Sequence, residues 1–223
     1  MNDYRPIPDA LPPEPKPYES AYFVGRRNEL GWIRRKAEEG LAGYPITKPI
    51  VHIWGIRGVG KSWLLHHLRQ QYHYPGLTGT VRKDAFSALA DFATRRFSRL
   101  KPQTVADLLE DLARQVKQQL GHQGQPSRLE QAFWAELTAI RANRNREVSG
   151  LAERFGDWVN LLTRSFVFLL MLDATDALSS EDFAWLERHL IEPIARTDRA
   201  IVIVAGRKEI PRWREFGVRQ RLV

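Results

Sequence analysis

Cysteine is absent from the 223 residues, and methionine occurs only twice. Without a thiol, disulfide frameworks, thiolate zinc centres and cysteine nucleophiles are excluded together, while a reducing cytoplasm is permitted. Long apolar runs are also absent. The longest, Phe166 to Leu172, spans seven residues, against the ~20 that a helix needs to cross a bilayer. No stretch near the amino terminus has the basic, apolar and small-residue succession of a secretory signal. The expectation is a cytoplasmic protein without a membrane partner. Acidic charge is the other shortage: 26 Asp and Glu face 34 Lys and Arg, a formal charge of +8.

The excess is uneven. Residues 51–100 carry 8 basic and 2 acidic groups and residues 201–223 carry 6 and 2, whereas residues 151–200 carry 5 and 9. Such asymmetry points to separate charged surfaces rather than one binding face. Nucleic acid is therefore a possible partner but not the favoured one. Arg95, Arg96, Arg99 and Lys101 read as a solvated face.

Residues 1–18 hold six prolines, from Pro6 to Pro17, and read as an extended arm; residues 19–223 read as one domain. Helical spacing of apolar residues predicts helices over Arg26–Leu41, Lys61–Gln71, Thr104–Leu120, Leu129–Ile140 and Leu151–Leu162. A further helix begins at an N-cap, Ser180, and carries Phe183, Leu186, Leu190 and Ile194 on one side. Short apolar runs predict strands at Ile50–Trp54, Phe166–Leu172 and Ala200–Ala205, while residues 81–93 are ambiguous, with a strand possible over Ser87–Ala93. Alternating strands and helices imply a mostly parallel sheet with helices on both faces.

Gly55-Ile56-Arg57-Gly58-Val59-Gly60-Lys61-Ser62 satisfies G-x-x-x-x-G-K-[ST] at every fixed position, after an apolar strand and before a helix. Glycines let the backbone N–H groups close on phosphate oxygens, and the helix amino terminus, continuing through Trp63, favours an anion. Lys61 supplies charge to the β- and γ-phosphates and Ser62 a hydroxyl to Mg²⁺. Such a loop needs a carboxylate at a neighbouring strand end. Asp173, where the run from Phe166 ends, supplies it and makes the second metal ligand. Asp176 is a candidate for orienting water or acting as a base. Arg207, at the end of Ala200–Gly206, is a candidate to sense or stabilise the γ-phosphate.

With these elements in order, the sequence resembles the STAND branch of P-loop ATPases, the signalling relatives of the AAA+ proteins. The specific features are Phe23-Val24-Gly25-Arg26-Arg27-Asn28-Glu29-Leu30, similar to the F-V-G-R-x-x-E-L box of that family, and Ala205-Gly206-Arg207 at a strand end. Met171-Leu172-Asp173-Ala174-Thr175-Asp176 is similar to bacterial members with a carboxylate three residues after the first Asp. The resemblance implies a three-layer α/β fold with a five-stranded sheet, Val24 and Gly25 along the adenine, and Arg26 fixing the linker. It implies ATP or ADP with Mg²⁺, and slow hydrolysis driving a switch between conformations or oligomers of a signalling or defence protein. In the family a helical lid and a winged-helix domain follow, so the sequence to Val223 reads as part of a longer protein. Ala174 stands where related ATPases place a second acid, a departure that accords with slow rather than fast hydrolysis. Two alternatives stay open: an origin-recognition-like ATPase acting on DNA, and a module that holds ADP without turnover.

Adjacent positions point apart on a helix, so His66 and His67 read as surface or packing residues rather than metal ligands. Trp54 and Trp63, which flank the loop, read as core residues.

Overall fold

The computed structural model describes residues 25–72, 85–93, 102–120, 127–143, 146–210, 213–215 and 218. The proline-rich arm, Phe23, Val24 and the Arg95–Lys101 cluster lie outside them. Strands β1 (Ile50–Trp54), β2 (Ala85–Asp91), β3 (Val167–Asp173) and β4 (Ala200–Gly206) form one parallel sheet in the order β1-β4-β3-β2. The described residues thus hold four strands, not the five expected. Residues 211–212, 216–217 and 219–223 of the carboxyl-terminal segment fall outside them.

The strands are apolar on both faces because both are covered. Val167, Leu169 and Met171 of β3 join a cluster with Ile33 and Ala37 of α1 (Arg27–Leu41) and Leu64, Leu65 and Leu68 of α2 (Lys61–Gln71). Phe168, Leu170 and Leu172 face the other way. There they meet Leu108 and Leu112 of α3 (Pro102–Leu120), Phe133 of α4 (Arg128–Ala142) and Phe155 and Trp158 of α5 (Ser149–Leu162). Side chains alternate across a strand, so one continuous run fills two cores. The result is an α/β fold with a parallel sheet between helical layers.

The ambiguous region resolves as β2, whose outer edge is closed by side chains. Gln119 Oε1 accepts the Ser87 N–H at 2.9 Å and its Nε2 donates to the Ser87 carbonyl at 2.6 Å. One helical turn earlier, Gln115 does the same to Leu89, both bonds at 2.9 Å. Two buried amides thus give this edge the partners that a neighbouring strand would supply.

The helix expected from Ser180 differs in two ways. Its N-cap is Ser179, whose hydroxyl accepts the Asp182 N–H at 3.1 Å, and Ser180 begins α6 (Ser180–Leu186). A π-turn over Glu187–Ile191 then precedes α7 (Glu192–Ala195). Pro193 has no N–H for the carbonyl four residues back, so the turn widens. Buried Glu187 accepts the Glu215 N–H at 2.8 Å, which ties the segment after β4 to this turn.

Candidate nucleotide site

The site forms at the carboxyl edge of the sheet, where β1 breaks into the loop Gly55–Gly60 and α2 begins. Gly58 and Gly60 have φ of +86° and +82°, a region that side chains with a Cβ rarely enter. Gly60 occupies the N-cap position of α2 and offers no side-chain cap, and the first turn holds no acidic residue. The opening amides and the positive end of the helix dipole are thus left to an anion.

Lys61 is the first residue of that helix and is buried. Its Nζ donates to the Gly55 carbonyl at 2.6 Å and the Ile56 carbonyl at 2.9 Å, so the side chain folds back over its own loop. Burial pulls the Lys61 ammonium below its ordinary range, against the charges of Asp173 and Asp176 and with those of Arg26 and Arg207. These five residues share one electrostatic neighbourhood. Ile56, Arg57 and Val59 project outward, and Trp63 is half-buried. Trp54 corrects an expectation. It is 55% exposed at the last position of β1, where the sheet ends.

Arg26 ties the segment before α1 to the loop. Its Nη2 donates to the Val59 carbonyl at 2.5 Å while Nη1 pairs with Glu29 at 2.6 Å. The residue sits at φ +53° after Gly25 at φ +93°, a reversal that begins α1 beside the loop. Gly25 is exposed.

Asp173 ends β3 with 6% exposure. Burial raises its carboxyl above the ordinary range, and the negative charge of Asp91 adds to the rise. A hydrogen bond from the Ser62 hydroxyl, the Ala174 N–H at 2.8 Å and the nearby His66 oppose it. A desolvated carboxylate bonded to a hydroxyl at a helix amino terminus is a pair of hard oxygen donors, the chemistry that suits Mg²⁺ beside phosphates. Among the described residues no three His, Cys, Asp or Glu side chains gather as a metal cage. A P-loop magnesium needs none, since phosphates and water complete its shell.

Beyond Asp173 the chain passes Ala174, at φ +53°, into a short turn over Thr175–Ala177. Thr175 Oγ1 donates to the Ala205 carbonyl at 3.1 Å. Asp176 meets Arg207 twice, Oδ1 accepting its N–H at 2.8 Å and Oδ2 its Nε–H at 2.5 Å. The strand-end arginine and the second carboxylate are therefore bonded to each other. Burial pushes the Asp176 carboxyl up, but the bonds and charge of Arg207 outweigh it and hold it below the usual range.

Sequence reasoning missed Asp91. It ends β2 in direct register with Asp173, and the weak apolar alternation of residues 81–93 hid the strand that carries it. His66 lies one turn below Ser62 on α2, under the charges of both Asp173 and Asp91. His67 bonds Gln71 at 2.8 Å, so the two histidines serve different surroundings. A cleft of about 690 Å³ between α5 and the π-turn, walled by Glu153, Asp157, Arg188 and His189, shares no residue with the loop.

Residues 22–205 match the family model of the AAA ATPase domain. No curated protein matches the chain. Among solved structures, the ORC2 protein of Aeropyrum pernix, determined as ADPNP and ADP complexes, is 16% identical, with 97% of this chain and 48% of that one covered and a TM-score of 0.49. A Walker-type ATPase of Pyrococcus abyssi is 18% identical, covering 82% and 45% with a TM-score of 0.46. Cdc6p of Pyrobaculum aerophilum is 13% identical, covering 91% and 42% with a TM-score of 0.45. The chain spans less than half the length of each.

Proposed function

The chain belongs to the AAA ATPase domain family, and from that premise we propose that it binds Mg-ATP and hydrolyses it slowly as a nucleotide-dependent switch, the role expected of a STAND-type signalling ATPase. The observation that carries the reading is the uncapped start of α2, with Lys61 and the Ser62–Asp173 pair beside it. Each residue has a task there. The loop amides from Gly55 to Trp63 hold the phosphates. Lys61 exchanges the Gly55 and Ile56 carbonyls for the β- and γ-phosphates. Ser62 and Asp173 would hold Mg²⁺, which when bound neutralises charge developing on the phosphate oxygens. Arg26 fixes the loop by its Val59 bond, with Val24 and Gly25 on the adenine side. Arg207 reads the γ-phosphate by leaving Asp176.

That last exchange is what makes the site a switch. A ligand shifts a two-state element only by its differential affinity for the two arrangements, and Arg207 has one partner already in place. Domains beyond this chain, and further copies of it, would respond to the movement. Among the described residues no helix is long and apolar enough to cross a membrane.

Calorimetry with ATP and ADP, with and without Mg²⁺, tests the reading. Saturable binding that Lys61→Ala abolishes is expected. Absence of binding at 100 µM nucleotide, about the level at which a Kd near that value gives half occupancy, overturns it.

A further inference from the structure

Asp176 is bonded to Arg207 in two chemically different ways, and only one of them competes with nucleotide. Its Oδ1 accepts the Arg207 main-chain N–H at 2.8 Å, whereas its Oδ2 accepts the side-chain Nε–H at 2.5 Å. A guanidinium that turns to a γ-phosphate leaves its own main chain in place, one residue past the end of β4. Oδ1 then keeps its partner, and Oδ2 alone is released. The turn that carries the carboxylate is pinned as well, because Thr175 Oγ1 donates to the Ala205 carbonyl at 3.1 Å. The exchange therefore leaves an anchored carboxylate, its side chain set deep in the site at 11% exposure, with one oxygen open.

That oxygen opens in the neighbourhood that hydrolysis needs. Among the described residues, the carboxylates whose charge acts on Lys61, the group that meets the β- and γ-phosphates, are Asp173 and Asp176. Asp173 is bonded to Ser62, the pair assigned above to Mg²⁺. A further group must orient the attacking water, and Ala174, directly after Asp173, has no carboxylate. Asp176 is the acid that remains beside Lys61, and in the chain without nucleotide its Oδ2 is closed by Arg207.

We propose that the Arg207–Asp176 pair is a catch on catalysis: the γ-phosphate that draws the Arg207 side chain away frees Oδ2 of Asp176 to orient the attacking water. The inference rests on the ATPase reading of this site and adds a second consequence to the movement of Arg207. Oδ2 accepts a hydrogen bond from the water, whose oxygen bonds to the γ-phosphorus as the bond from phosphorus to the β,γ-bridging oxygen breaks. The bridging oxygen leaves on ADP with the electron pair. One water proton stays on the inorganic phosphate, and the other passes by way of Oδ2 to solvent. ADP has no γ-phosphate with which to draw Arg207, so after turnover the catch closes again.

Equilibrium binding of ATP and ADP, steady-state turnover and melting temperature, measured on the wild-type chain and on Asp176→Asn, test this. The asparagine keeps an oxygen for the Arg207 N–H but sets an NH₂ in place of Oδ2, which neither holds the guanidinium nor accepts from water. Asp176→Asn is expected to bind ATP at least as tightly as wild type, because a competitor for Arg207 is gone, while kcat falls about 10²-fold. Affinity and turnover thus move apart, which a merely structural residue would not produce. Turnover of Asp176→Asn within about threefold of wild type overturns the proposal. A parallel loss of ATP affinity, melting temperature and turnover also overturns it, since Asp176 then only supports the site. Binding without hydrolysis by the wild-type chain overturns it while leaving nucleotide binding intact. If the wild-type chain binds no ATP, the ATPase reading itself falls and the catch with it; the binding arm separates that case from the others.

Discussion

Asp176 holds Arg207 by side chain and main chain at once, at 2.5 and 2.8 Å. The Arg207 side chain is mostly exposed while that of Asp176 is nearly buried, so the arginine is the mobile member and the aspartate the fixed one. ATP would have to win the guanidinium from this carboxylate. An exposed ion pair of this kind is worth roughly 0.2–1 kcal/mol, which corresponds to at most about fivefold in affinity. Asp176→Ala should therefore bind ATP up to about fivefold more tightly, with ADP affinity unchanged. Adding Arg207→Ala should erase the gain. Calorimetry with both nucleotides distinguishes this from a supporting role for Asp176, in which ATP affinity would drop instead.

Asp173 carries a cost that a nucleotide-binding site accepts for function. Its carboxyl is raised by burial, so the folded chain holds the proton more tightly than the unfolded chain does. Stability therefore rises as pH falls through the folded value toward the unfolded one, and is lowest where Asp173 is ionised. Asp173→Asn mimics the neutral form. It should melt higher than wild type at pH 7 without nucleotide, the difference closing as the pH falls through the carboxylate range. The same variant should lose the Mg²⁺ dependence of ATP binding. A lower melting temperature at pH 7 would show that the Ser62 and Ala174 bonds outweigh the desolvation.

Gly206, at the end of β4, lies against the Thr175–Ala177 turn. A Cβ there would stand 3.1 Å from Thr175 Oγ1 and 3.5 Å from Asp176 Oδ1. Both neighbours are held, Thr175 by the Ala205 carbonyl and Asp176 by Arg207, so neither yields freely. Gly206→Ala should destabilise by about 1–3 kcal/mol and weaken the Asp176–Arg207 contact, which denaturant titration and the ATP/ADP affinity ratio would report.

Much of this arrangement is legible in the residues themselves. Gly55 to Ser62 announce a loop and a helix start because each glycine and the Lys-Ser pair has a distinct chemical reason to be there. Phe166–Leu172 reads as a doubly covered strand, and the carboxylate directly after it falls at the sheet edge. Asp176 and Arg207 stand out singly but not as a pair, since 31 residues separate them and their meeting depends on β3 and β4 being neighbours. Asp91 stays hidden because Ala85–Asp91 is built mostly of small residues without strong alternation. Trp54 misleads for a related reason: whether a strand's last residue is covered depends on what crosses the sheet edge, which local sequence does not encode.

The glutamines of α3 are equally hidden, because Gln115 and Gln119 look like polar residues beside an apolar stripe. Their spacing of four residues matches two alternate residues of a strand, so each carboxamide meets one N–H and one carbonyl of β2. Replacing Gln115 by Leu leaves the Leu89 N–H and carbonyl buried without these partners, and each such group costs about 1–3 kcal/mol. Gln115→Glu can still accept the N–H but cannot donate to the carbonyl, and it buries a charge. It should destabilise at least as much at pH 7 and recover partly when protonated, because a protonated carboxyl regains a donor. The urea midpoint should drop for both variants with the slope unchanged. Amide exchange at Ser87 should stay slow in Gln115→Leu while that at Leu89 quickens. Equal acceleration at both amides would mean that the two glutamines act as one clamp rather than as two independent rungs.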